Sequence, residues 1–177
     1  MQCEGRVRVE RLIHYSDRPL GRLWSVAGQE TPEHYFHKPW GLWVSVEGEN
    51  DWKEWCTSED FQRSRLQVEN VIELKPDANL LRLRSPGQLD EFTKQYGVVS
   101  RLAQQHPGLF TERVIDWPRV AGEYQGILIA PYQWSRRMER TTSWYYGWDC
   151  ASGCIWDVDA IEGVKVEAPV LSGGNEQ

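Results

Sequence analysis

HKPWGLWVSVEGENDWKEWC, residues 37–56, sets four tryptophans around a strand, a turn and a short helix. Side chains alternate through GLWVS, with Leu42 and Val44 on one face of a strand and Trp43 and Ser45 on the other. Gly48, Glu49 and Asn50 supply a turn, and Asp51 stands where a helix cap is needed. Trp52, Trp55 and Cys56 then fall three and four residues apart, which puts them on one helix face. Trp43 and Trp55 are therefore expected to face a common space, as half of an aromatic ligand pocket. Taken singly, each indole reads first as a core aromatic.

Outward from this block the chain alternates between short strands and short helices. RVRVERLIHYS, residues 6–16, reads as an opening strand that ends at Ser16 and Asp17, and residues 19–36 read as a loop with a weak helix. Residues 60–67 are polar and belong on the surface. VENVIELKPDANLLRLRS gives two strand segments broken at Lys75, Pro76 and Asp77, because proline removes a ladder donor and favours a turn. Ser85, Pro86 and Gln88 mark a helix start, LDEFTKQYG is the helix, and VVSRLAQQH continues as another helical piece. Asp116 and Pro118 open a further helical turn. QGILIAPY is an apolar strand, QWSRRMERTTS a basic loop, CIWDV a closing strand, and LSGGNEQ a disordered tail. About six or seven strands with three or four short helices make an α+β domain over residues 1–170.

Composition narrows the function. A net charge of -6 in 177 residues, with a pI near 5.3, disfavours wrapping nucleic acid by bulk electrostatics, although WSRRMER offers a local basic patch. Four cysteines make a poor disulfide framework for a chain of this length, so reduced thiols and a cytoplasmic location are expected. Neither a signal peptide nor a membrane span is expected. HYFH and CASGC lack the partner ligands or the spacing of metal sites.

Three segments, LIHYS at 12–16, GLWVS followed by DWKEWC at 41–56, and CIWDVDAI at 154–161, together resemble the ADP-ribosyltransferase fold. The likeness is to its diphtheria-toxin and poly(ADP-ribose) polymerase branch with the His-Tyr-Glu signature. It implies a split pair of small antiparallel sheets with short helices, NAD as co-substrate, and transfer of ADP-ribose to a protein or nucleic acid. Such a protein would suit a bacterial or phage effector. By the same resemblance His14 would bind the ribose, Ser16 would be its polar neighbour, Trp43 and Trp55 would hold the nicotinamide, and Ser45 would line the pocket. Indole suits this role, because the nicotinamide ring of NAD is cationic. The family's catalytic Glu falls at Ser152 here, so the anion that steadies the ribose cation is expected from Asp149 or Glu123. Arg136 and Arg137 precede the last strand, where the family reads its acceptor.

Simpler readings stand beside these. His14 is equally a structural histidine, Asp149 a loop carboxylate, and Arg136, Arg137 and Arg140 a solvated face. Trp144, Tyr145, Tyr146 and Trp148 read as a packed cluster, with Cys150 and Cys154 buried and reduced. Two other functions remain open. One is phosphotransfer from RNA 2'-phosphate to NAD within the same fold, and the other is a non-catalytic module that stacks a nucleotide, sugar or peptide on exposed tryptophans.

Overall fold

Alternating side chains make strands of Leu12–Ser16 (β1) and Leu42–Val46 (β2), which pair antiparallel through only Leu12 with Val46 and Ile13 with Ser45. Their other edges are paired more extensively. β1 runs beside Val68–Leu74 (β3) over five residues, and β2 beside Ser152–Ile155 (β8) over four. The computed structural model describes residues 10–26, 28–30, 38–106 and 113–167. Beyond β3 lies Ile161–Glu167 (β9), and beyond β8 lie Gly126–Ile129 (β7) and then Leu80–Leu83 (β4). The order is β4-β7-β8-β2-β1-β3-β9, antiparallel throughout except for the parallel pair of β4 and β7. A separate ribbon joins Gly97–Val99 (β5) to Arg113–Ile115 (β6).

The α+β class expected from the sequence is observed, with one large mixed sheet in place of two small antiparallel ones. The seven strands are continuous because two residue pairs bridge β1 and β2, and that narrow bridge is where the sheet parts. The closing strand also differs. It is Ser152–Ile155, since Trp156 and Asp157 leave the ladder to donate backbone N–H groups to the Gln125 carbonyl. A 3₁₀ turn at Val158–Ala160 then feeds β9, whose mixed IEGVKVE pattern gave no strand signal by alternation.

Caps set the helices. Asp51 accepts from the Glu54 N–H to start α1 (Trp52–Ser58), and Ser85 accepts from Gln88 to start α2 (Pro86–Tyr96). Gly97 turns extended and pairs with Ile115, so the segment expected to continue as helix begins as β5; only Arg101–Gln105 (α3), capped by Ser100, is helical. Asp116 caps α4 (Trp117–Glu123). The expected basic loop is also helical, as Trp134–Arg137 (α5) followed by a kinked 3₁₀ run over Arg140–Gly147. Residues 19–26 and 28–30 are irregular where a weak helix was expected. The remainder of that segment, His37, Cys3 and the 171–177 tail lie outside the described residues.

Leu89, Phe92 and Tyr96 of α2, Trp117 and Val120 of α4, and Trp144, Tyr145 and Trp148 share one buried cluster with Ile127, Ile129 and Ile155 of the sheet. Trp144 donates its indole N–H to Thr93 Oγ1 at 2.8 Å, and Trp156 donates to the Tyr124 carbonyl at 2.6 Å. Each such ring contributes about 4–6 kcal/mol of burial before entropy is subtracted.

The centre of the sheet leaves no room for a side chain at Gly153, where a Cβ would lie 2.4 Å from the Ile127 carbonyl oxygen. Gly153→Ala is expected to lower the free energy of unfolding by about 2–4 kcal/mol. Gly122→Ala, in α4 with nothing within 4 Å of the new methyl, should raise it by about 0.5–1 kcal/mol. Urea unfolding followed by circular dichroism measures both.

Candidate functional site

β1 and β2 separate beyond Ile13 and Ser45, and a pocket of about 290 Å³ occupies the gap. That is the lower end of the range for small-molecule sites. Its walls are Ile13, His14 and Tyr15 from β1, Trp43, Val44 and Ser45 from β2, Trp52 from α1, and Gln62 and Arg65 at the 3₁₀ turn after α1. Lys38, Asp149, Cys150 and Ser152 complete it.

One hydrogen bond spans the gap, between His14 Nδ1 and the Trp43 carbonyl at 2.8 Å. A carbonyl only accepts, so Nδ1 carries the hydrogen and Nε2 takes no part in this bond. The strand behind His14 is fixed by Asn70, which is fully buried. Its amide donates to the His14 carbonyl and to Ser16 Oγ, and its Oδ1 accepts from the Leu20 N–H. Ser16 is thereby engaged in holding the strand and is not part of the pocket wall.

The indoles of the wall are Trp43 and Trp52. Ser45 Oγ accepts from the Trp52 N–H at 2.9 Å, which ties the first residue of α1 to the floor of the pocket. Trp55, expected as the second indole, instead stacks behind Trp52 with ring centroids 5.0 Å apart and touches Phe61. The helical face was read correctly, but the residue next to the cap lies closest to β2 and its neighbour one turn on lies behind it. Trp43 meets the buried Trp148 edge-on at 4.9 Å.

Asp149 is the one carboxylate among the described wall residues. Arg137 Nη2 lies 3.3 Å from its Oδ1, and Lys38 Nζ lies 3.9 Å from its Oδ2. Lys38 also sits over the Trp43 ring, 4.9 Å from its centroid. Burial lowers the Lys38 pKa, an effect opposed by Asp149. Cys150 is no nucleophile at neutral pH, because burial pushes its thiol from 9.0 to about 12. Ser152 reaches the wall at 7 % exposure and donates to the Cys150 carbonyl.

The chain matches no family model, curated protein or solved structure with which it was compared. The pocket must be read from its own atoms. It unites His14, Trp43, Ser45, Asp149 and Ser152, which come from three stretches far apart in sequence. Glu123 is elsewhere, at the end of α4, accepting from the Tyr96 hydroxyl at 2.7 Å. The two arginines also diverge. Arg136 makes a two-pronged bond to Asp90 beside a second, polar cavity, whereas Arg137 supports Asp149 and lies near the exposed rings of Trp134 and Tyr146. Lys38, Trp52, Gln62 and Arg65 were missed. Only Trp52 carried a usable signal, its place immediately after the cap.

Among the described residues no group of three or more His, Cys, Asp or Glu side chains could hold a metal ion, and no helix is long and apolar enough to cross a membrane.

Burial also raises Cys56 from 9.0 to about 11 and Tyr132 from 10.0 to about 12. The unfolded chain sheds these protons first, so above the ordinary thiol value the folded state binds more protons and loses stability as pH rises. Lys38 acts in the opposite direction, but it is one group against several. Unfolding free energy should therefore fall between about pH 9 and about pH 12, as measured by urea titrations across that window.

Proposed function

We propose that the pocket binds NAD and that the chain is an ADP-ribosyltransferase acting on a macromolecular acceptor, protein or nucleic acid. The observation that carries this reading is the wedge between β1 and β2. There an imidazole, two indoles and a carboxylate converge, although they come from three separate stretches of sequence.

The donor set fits such a ligand. Trp43 and Trp52 offer aromatic faces to a flat cationic ring, with cation–π attraction added to apolar contact. His14 Nε2 would accept from a ribose hydroxyl. Arg65 supplies a positive charge suited to a phosphate. The pocket volume accommodates the nicotinamide end, leaving the adenylate half to extend outward.

Asp149 would carry the chemical step. When the bond between the ribose C1' and the ring nitrogen breaks, its electron pair leaves with nicotinamide and positive charge develops on the ribose. A fixed carboxylate stabilises that charge more than it stabilises the starting substrate. The acceptor nucleophile then bonds to C1', and its proton passes to Asp149 or to solvent. Arg137 acts as a positioning residue by holding the carboxylate from outside the pocket.

A second reading, a binding module without catalysis, is favoured by one observation: the charge of Asp149 is already answered by Arg137 and partly by Lys38. Nicotinamide release from NAD in the presence of cell extract separates the two. His14→Ala and Asp149→Asn should each lower release at least about tenfold, while Glu123→Gln should leave it near wild type. NAD-dependent quenching of tryptophan fluorescence without release from any extract would establish the module instead. Absence of quenching would remove NAD from consideration.

A further inference from the structure

We infer that Lys38 is an internal stand-in for the cationic nicotinamide ring, resting on Trp43 and Asp149 in the free protein, displaced by NAD, and returning as nicotinamide departs. The inference rests on the NAD reading above and adds to it a residue that sets which ligands the pocket prefers.

The geometry is specific. The Lys38 ammonium lies 4.9 Å from the centroid of the Trp43 ring and 3.9 Å from Asp149 Oδ2. Those are the two groups assigned to the positive ring and to the positive ribose. An indole face and a carboxylate that already hold one cation must give it up to receive another. The hold on Lys38 is loose, since 3.9 Å is a long ion pair and about a third of the side chain is exposed (34%). Asp149 keeps its closer partner Arg137, so releasing Lys38 does not strand the carboxylate. Partial burial also lowers the ammonium's hold on its proton.

The backbone nearby is held while the side chain is free to exchange. The Gln29 side chain accepts from the Trp40 N–H at 2.9 Å and donates to the Trp40 carbonyl at 2.6 Å, which fixes the chain two residues past Lys38. Movement is thereby assigned to the flexible four-carbon stem of the lysine.

Ligand preference follows. NAD brings a cationic ring and must displace Lys38, whereas ADP-ribose, the same molecule without that ring, leaves it in place. Lys38 therefore weakens NAD relative to ADP-ribose. By refilling the indole face it also opposes the return of nicotinamide after cleavage.

Tryptophan fluorescence titrations of the wild type and Lys38→Met test this, with NAD, ADP-ribose and 1-methylnicotinamide, a cation lacking ribose and phosphate, as the three probes. The variant should bind NAD and 1-methylnicotinamide about tenfold more tightly, with ADP-ribose unchanged or weaker. NAD binding equally to both proteins, or all probes shifting together, would overturn the role of Lys38 and leave the NAD reading intact. Tighter binding of 1-methylnicotinamide alone, with neither NAD nor ADP-ribose bound, would uphold cation exchange and remove the NAD reading. If no probe binds either protein, both fall. Lys38→Gln gives the same read-out should methionine disturb folding.

Discussion

The fold depends on how little β1 and β2 share. Two residue pairs join them, against five between β1 and β3 and four between β2 and β8, so two well-built half-sheets meet at a weak seam. Backbone groups that leave a ladder still need partners, and the seam supplies one through a side chain, with His14 donating to the Trp43 carbonyl. The ring that closes the gap also lines it. The structural role of His14 and its proposed role toward a ligand are therefore compatible, because the bond to Trp43 occupies only one nitrogen of the imidazole.

Charge balance around the pocket follows from the same seam. Where the strands part, side chains from the chain entering β2 and from the loop before β8 come within reach of one another. Lys38 and Asp149 are over a hundred residues apart in sequence and meet there, with Arg137 behind. Lys38, Asp149 and Arg137 answer one another inside the protein, which allows a partly enclosed site to stay folded when empty. A site of this type is better suited to exchanging charges with a ligand than to attracting one from afar.

Sequence reasoning reached what local chemistry controls. The strand over Leu42–Val46, the cap at Asp51, the break near Pro76 and the cap at Ser85 each rest on neighbouring residues, and each is present. His14, Trp43, Ser45, Asp149 and Ser152 were legible as candidates because their segments carried pattern. Trp55 was mistaken for Trp52 because spacing specifies a shared helix face but not which residue leads toward the sheet. Glu123 was misjudged for a related reason: it stands three residues before a strand that enters the sheet, yet α4 ends on it and its carboxylate accepts from the Tyr96 hydroxyl. β9 was invisible, since an edge strand with glycine and alternating charges has no buried face to reveal it. The joining of both half-sheets into one depends on pairing between residues 32 and 34 positions apart, beyond any local signal.

The indoles have an optical consequence. Trp52 and Trp55 are stacked, Trp43 touches Trp148, Trp148 touches Trp144, and Trp144 touches Trp117. Transitions in rings this close couple as excitons, which adds aromatic bands to the far-ultraviolet spectrum where helices are normally assessed. The protein's ellipticity will therefore misstate its modest helix content, and excitation absorbed deep in the core can migrate ring by ring to the wall of the pocket.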